Sequence, residues 1–398
     1  MPRGMAAGLF HEGHTYQLKG VQPVRVLMTG GGTAGHINPA LAIADKIRRE
    51  QPDTEFLFVG AKGRMETRLV PEAGYVIRTV DVRGFQRRLS LKNVGRNVSA
   101  AVHAVTAGSA CAKIIREFRP DIAIGTGGYV SGPILRKAAK MGIPVLLHES
   151  NAFPGMTVKM LAKNAAAVML ADEAAKKYLP EGCRTVVTGN PIRPDFLQYD
   201  REQARRELRM DSRPLVLSFG GSLGAERINR AMAEVLERSF RAGDVQHIHA
   251  TGSSGWETYS KLLQEKGVPL DGNGFSVREY IKDMPRCMAA ADLVVCRCGA
   301  MTLSELPAAG KPAVLIPSPN VAENHQYHNA MALVRRGAAV CIEEKDLTVD
   351  RLWEAIREIV LSPEKRQEMG DNARKAAILD ADDRIYAVIR ETLAGAKK

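Results

Sequence analysis

One local pattern occurs twice in this chain, and its repetition constrains the fold more than any other feature. The run VRVLMTGGGTAGHINPALAIA (Val24–Ala44) passes from an apolar, β-branched segment through three glycines into an amphipathic stretch. About 190 residues later, PLVLSFGGSLGAERIN (Pro214–Asn229) does the same. Each reads as strand, Gly-rich turn and helix, the first helix beginning after Pro39. Solenoid units span only roughly 20–50 residues, so the recurrence implies two similar lobes. Around these points short apolar runs alternate with amphipathic segments. In the first half the strands are Glu55–Val59, Val76–Val80, Ile122–Ile124, Val145–His148 and Thr185–Val187, with a helix near Ser99–Phe118. In the second half they are Val245–Ala250, Phe275–Tyr280, Leu293–Cys296, Pro312–Pro317 and Ala338–Glu343. This alternation is the signature of an α/β fold built on doubly wound parallel sheets, with ligands at the carboxyl ends of the strands.

At 398 residues the chain exceeds one ordinary core. Residues 1–23 read as a disordered leader, 24–188 and 214–378 as two Rossmann-like domains, and 189–213, with its two prolines in GNPIRPDFL, as a linker. Residues 379–398 form a terminal helix expected to pack back on the first domain. No run approaches the ~18 apolar residues of a membrane span. The six cysteines are scattered and read as reduced thiols. Cys296 and Cys298 have the wrong spacing for a zinc knuckle, so no metal site is expected. A net charge of +12 admits nucleic acid, an anionic membrane face or a phosphorylated substrate as partner. With 5% aromatics and no stacking platform or paired-cysteine finger, nucleic acid is excluded. Arg83, Arg87, Arg88, Lys92 and Arg96, interleaved with Phe85, Leu89, Leu91 and Val94, form either a solvated basic loop or a contact for anionic lipid headgroups.

Gly30, Gly32 and Gly35 satisfy the dinucleotide fingerprint, yet the second strand ends in Gly60, Ala61 and Lys62, without the acid that would hold a cofactor ribose. That absence argues against a dehydrogenase. Unpaired amides at the following helix start favour an anion such as a diphosphate, and His36 sits at the mouth of that site, as a base or as a backbone-bonded turn residue. A second turn, GTGGYVSGP from Gly125, faces the same cleft. In the second lobe GGSLGA offers Ser222 and backbone amides to a phosphate. Glu305, about one turn into the helix after RCGAM, would be repelled by phosphates. It suits a ribose diol, or else complements the helix dipole. Asn324, His325, Gln326 and Asn329 suit sugar hydroxyls. His148 ends a buried strand and reads as a structural hydrogen-bonding residue.

Taken together, GGGTAGHINPALAIA, GTGGYVSGP, HESN, GNPIRPD, FGGSLGAERIN, RCGAMTLSE and PNVAENHQYHNA, in this order and spacing, resemble the MurG family of peptidoglycan GlcNAc transferases, which are similar to other GT-B glycosyltransferases. The likeness covers roughly Val24 to Ala394. It implies a GT-B fold and inverting transfer of GlcNAc from UDP-GlcNAc to the C4 hydroxyl of MurNAc in undecaprenyl-diphosphate-MurNAc-pentapeptide (lipid I), without a cofactor. The first domain would then be the acceptor and membrane-associated domain, the second the donor domain. The implied enzyme is a peripheral protein at the cytoplasmic face of the membrane, with an anionic membrane surface and cell-wall and division proteins as further partners. Carried over by position, His36 is the catalytic base. Ser222, Thr302 and the Met301 backbone bind the donor diphosphate, and Ile281 meets uracil. Arg193 lies near the nucleotide and Glu305 holds the ribose. Gln326 and Asn329 read the sugar, with Asn151 reaching across from the first lobe. Thr33, Ala34 and Gly35 with Gly127, Gly128, Tyr129 and Ser131 cradle the acceptor diphosphate. Ala34 stands where the family often has glycine, which could narrow the acceptor loop; Ser150 and Cys298 replace a frequent glutamine and serine. Another GT-B enzyme with a different lipid acceptor, and a non-catalytic nucleotide-sugar scaffold, are the competing possibilities.

Overall fold

The chain builds two seven-stranded sheets, each reversing its strand order beside a strand that feeds a Gly-rich turn. The computed structural model describes residues 23–82 and 108–396. The first sheet contains β1 (Arg25–Thr29), β2 (Glu55–Ala61), β3 (Ile77–Val80), β4 (Ile122–Gly125), β5 (Val145–Glu149), β6 (Ala167–Leu170) and β7 (Thr185–Val187). Their order is β3-β2-β1-β4-β5-β6-β7, and every neighbouring pair is parallel. The second contains β8 (Leu215–Phe219), β9 (Gln246–Ala250), β10 (Asp271–Gly272), β11 (Phe275–Arg278), β12 (Leu293–Cys296), β13 (Ala313–Leu315) and β14 (Ala339–Cys341). Its order is β10-β11-β9-β8-β12-β13-β14, with β10 alone antiparallel to its neighbour.

The order in which strands are added reverses between β1 and β4 in one lobe and between β8 and β12 in the other. Switch points open a crevice at the carboxyl ends of the strands, so topology alone puts both pairs of motif turns in crevices. Helices cover both faces of each sheet, which explains why the central strands are apolar without alternation. Val26, Met28 and Ile124 bury into one layer with Ile37, Ile43 and Ile47; Leu27, Ala123 and Leu147 bury into the other with Ile134 and Leu135.

Several expected boundaries shift. The first helix spans Ala34–Glu50 and includes Pro39 in its second turn. Proline there removes the donor for the Gly35 carbonyl, and because Gly35 is exposed at the helix mouth, water can replace that bond. β6 was not expected: its four residues lie in the alanine-rich stretch Ala162–Ala175, whose composition favours helix, and the open place between β5 and β7 overrides that preference. β10 was also missed. The expected strands Pro312–Pro317 and Ala338–Glu343 shorten to β13 and β14. Of the expected helix near Ser99–Phe118, the part over 108–118 is observed; residues 1–22 of the expected leader and the basic segment from Arg83 to Arg96 lie outside the described residues.

After β7 the chain crosses to the second lobe through Gly189, whose φ is +81° and whose added β-carbon would lie 2.9 Å from Ile378. Only glycine suits both constraints. The returning helix Ala381–Ala396 buries Ile385, Val388 and Ile389 against the first lobe, and its Asp383 and Asp382 pair with Lys46 at 2.7 Å and Arg49 at 3.2 Å.

Candidate active site

The turns after β1 and β4 are knitted together. Gly31 donates its amide to the Gly127 carbonyl at 3.4 Å, and the Thr126 hydroxyl donates to the His36 carbonyl at 2.6 Å. His36 Nδ1 lies 3.0 Å from the Thr126 carbonyl. A ring nitrogen facing a carbonyl must carry the proton, which leaves the Nε2 lone pair unused. Burial holds the His36 pKa below its ordinary value; the Thr126 carbonyl opposes this and the charge of His325 adds to it. The imidazole is therefore neutral at pH 7. Gly127, at φ +108°, leaves room for the ring, since a β-carbon there would lie 2.7 Å from Nδ1.

Thr33, Ala34 and Gly35 are exposed at the start of the helix, and Thr33 makes no side-chain capping bond. Their amides have no hydrogen-bond partner among the described residues, which makes them three open donors beside His36. Ala34 occupies regular helix, so its β-carbon imposes no backbone strain. Tyr129 is half-buried, and its enclosed hydroxyl finds no partner among the described residues. Ser131 is fully buried and donates to the Gly127 carbonyl at 2.6 Å; it shapes the loop of Gly127 and Gly128 from beneath instead of offering its hydroxyl to the cleft.

In the second lobe, the turns after β8 and β12 border a cavity of about 490 Å³ lined by Gly220, Gly221, Gly224, Arg297, Thr302 and Gln326 among others. Met301 precedes the helix Thr302–Ala308, and Ser222 is exposed at the tip of the Gly-rich loop. The Glu305 carboxylate accepts no hydrogen bond from the described residues, and its pKa is pushed up to about 7 by burial, with Arg193 opposing and Asp195 reinforcing the shift. Arg193 is exposed and packs over the Phe196 ring at 4.9 Å. Ile281 is buried at the end of the β11 loop. Gln326 Oε1 accepts from the Ser318 amide at 2.8 Å and from Cys298 at 3.3 Å, which leaves its NH₂ for the cavity.

Asn329 behaves differently from a free sugar reader. Its Oδ1 accepts the Ala152 amide at 2.8 Å, and its Nδ2 donates to Asn151 Oδ1 at 3.0 Å and to the Cys298 carbonyl at 3.2 Å. Both amide hydrogens are thus committed, and Asn151 and Asn329 meet each other across the lobes.

Sequence reasoning passed over four side chains that organise these turns. Glu66 is fully buried behind the first turn. Glu149 accepts from the Asn151 amide at 2.9 Å, from Asn151 Nδ2 at 3.0 Å and from the Gly155 amide at 2.8 Å, and burial pushes its pKa up. Asn190 bridges the lobes, donating to Ser304 Oγ at 2.9 Å and to the Ser150 carbonyl at 3.1 Å. Arg297 donates to the Ile316 and Pro317 carbonyls at 3.2 and 3.1 Å and pairs with Glu344. Three lie in motifs already singled out; Glu149 ties down its own following loop, while the partners of Asn190 and Arg297 come from other strand ends and carry no sequence signal. His148 is structural: its Nε2 sits 3.1 Å from the Gly189 carbonyl in full burial. Among the described residues no group of three or more His, Cys, Asp or Glu is arranged to hold a metal ion.

The glycosyltransferase family 28 N-terminal domain matches residues 26–170, and the glycosyltransferase family 28 C-terminal domain matches residues 215–385. A protein of Acetivibrio thermocellus named UDP-N-acetylglucosamine--N-acetylmuramyl-(pentapeptide) pyrophosphoryl-undecaprenol N-acetylglucosamine transferase is 46% identical, covering 93% of this chain and 98% of its own. A protein of the same name from Thermoanaerobacter sp. (strain X514) is 41% identical over 92% of this chain and 99% of its own. The crystal structure of Acinetobacter baumannii MurG superposes with a TM-score of 0.76 at 27% identity, covering 93% of this chain and 100% of that one.

Proposed function

The chain belongs to glycosyltransferase family 28, and from that premise we propose that it transfers GlcNAc from UDP-GlcNAc to the C4 hydroxyl of MurNAc in lipid I, forming lipid II with inversion to a β1,4 linkage. The observation that carries the chemistry is the neutral His36, its Nε2 free, beside three open amides on the lobe opposite the nucleotide-sized cavity. The amides of Thr33, Ala34 and Gly35 hold the acceptor diphosphate at the helix start. His36 Nε2 takes the proton from the C4 hydroxyl as its oxygen attacks the anomeric carbon from the face opposite UDP. Negative charge then grows on the departing diphosphate, and the helix start at Met301 and Thr302, with Ser222, stabilises it through hydrogen bonds that need no metal ion. Glu305 grips the ribose hydroxyls, the Ile281 backbone meets the uracil, Arg193 lies by the nucleotide and the Gln326 NH₂ reads the sugar. Asn151 and Asn329 exchange their mutual bond for sugar hydroxyls when the donor enters between the lobes.

The lipid acceptor would hold the enzyme at the cytoplasmic face of the membrane, and the +12 charge favours an anionic surface. Among the described residues no helix is long and apolar enough to cross a membrane. The test is UDP release from UDP-GlcNAc with and without a lipid I analogue. Acceptor-dependent release with a β-linked disaccharide product is expected; release indifferent to the acceptor would refute the assignment.

A further inference from the structure

We infer that Glu66 is a positioning residue for the acceptor diphosphate: its carboxylate fixes which amides of the first Gly-rich turn face the cleft. This rests on the acceptor role proposed for that turn. Glu66 opens the short helix Glu66–Glu72 and is fully buried, an unfavourable place for a carboxylate unless hydrogen bonds replace its water. Two amides from different strand ends do so. Ala61, the last residue of β2, donates to Oε1 at 3.0 Å, and Gly32, in the turn after β1, donates to Oε2 at 3.0 Å. The side chain is gripped on both sides. A β-carbon on Gly31 would lie 2.4 Å from Oε1, and one on Gly60 would lie 2.6 Å from Glu66 Cγ.

The amides of the turn show what this grip accomplishes. Gly31 is committed to the Gly127 carbonyl, Gly32 to Glu66 and His36 to the Thr33 carbonyl. Thr33, Ala34 and Gly35 remain open, in sequence, at the exposed helix start. Holding the Gly32 amide backwards fixes the Gly31–Gly32 peptide plane, one residue before the open amides begin at Thr33. The Thr33 carbonyl in turn accepts from His36 at 3.0 Å and Ile37 at 3.2 Å, so the same anchor reaches the base. A glutamine at 66 would keep the shape but present NH₂ to one of two amides that both need an acceptor, which leaves that amide unsatisfied.

The experiment compares steady-state kinetics of the full chain and its Glu66→Gln variant, varying lipid I analogue and UDP-GlcNAc separately. The expected result is a KM for the acceptor raised roughly 10- to 100-fold while the KM for UDP-GlcNAc stays within about twofold. A merely structural Glu66 would lower the melting temperature and the active fraction and leave both KM values in place; that outcome, or an equal change in both, overturns the inference. Should Glu66→Gln fail to fold, Gly60→Ala keeps the carboxylate but crowds its Cγ and must raise the acceptor KM selectively; an unchanged acceptor KM there overturns the inference as well. Absence of acceptor-dependent turnover in the unmodified chain would refute the proposed function itself, a result separate from normal turnover with unaltered KM in the variants.

Discussion

Burial drives two residues of the cleft toward their uncharged forms, with opposite consequences for the roles proposed for them. His36 is held below its ordinary pKa, so it can accept a proton at neutral pH and should lose that ability only below about 6.5. Glu305 is raised to about 7, and in the proposed role of ribose holder it needs its charge to accept from two hydroxyls. The sign follows: protonation removes an acceptor, so donor binding weakens as pH falls. We expect UDP-GlcNAc affinity to weaken by about tenfold per pH unit well below 7, and this dependence to vanish in Glu305→Gln while the acid limb of turnover due to His36 remains; donor-binding calorimetry across pH checks it. At this scale the residue types were legible in the sequence, because an imidazole at a helix start or a carboxylate beside a phosphate turn has few chemical uses. Their bonding partners were not legible. Nothing near Asn329 in sequence announces that Ala152 and Asn151 would take its amide, and nothing beside Glu66 points to Gly32.

At the scale of elements, the paired turns behave as one unit. Gly127→Ala would drive a β-carbon into His36 at a φ of +108°, where side chains are strained. We expect kcat to fall by at least about 10²-fold with UDP binding retained, since the second lobe is untouched; calorimetry of UDP binding beside the turnover assay separates the two. Strand β9 carries a different liability. His247 and His249 are fully buried with pKa values pushed down to about 3 and about 4 by burial, and one nitrogen of each ring has no partner among the described residues. The unfolded chain binds protons that the folded one refuses, so stability is intact above pH 6.5 and drains away as pH falls toward 4. Urea midpoints at pH 7, 5 and 4 should drop in that order, and equal midpoints would contradict the assignment of neutral histidines. Strand and helix identities were largely readable from apolar periodicity. β6 was not, because four apolar residues inside an alanine-rich stretch become a strand only when a sheet has a vacant place for them.

For the whole molecule, two sheets each with its own switch point give a divided candidate site, with His36 on one lobe and the cavity of about 490 Å³ on the other. The recurrence of one motif after about 190 residues made the two lobes evident. How they meet was not evident, since the bridges at Asn329, Asn190 and Arg336, the last with Asp172 at 2.8 Å, join residues far apart in sequence. Covalent and electrostatic routes return the chain to its start, with Glu391 of the terminal helix pairing with Arg184 at 2.6 Å. Division of labour between the lobes is the central claim, and it has a direct test. UDP release in the presence of a lipid I analogue should be measured for the unmodified chain and His36→Ala side by side, with UDP-GlcNAc affinity determined for both. A rate lowered by roughly 10²-fold or more at unchanged donor affinity is the predicted result. A variant as fast as the parent would remove His36 from the chemistry, and one that loses donor affinity in proportion would contradict the separation of base and nucleotide between lobes.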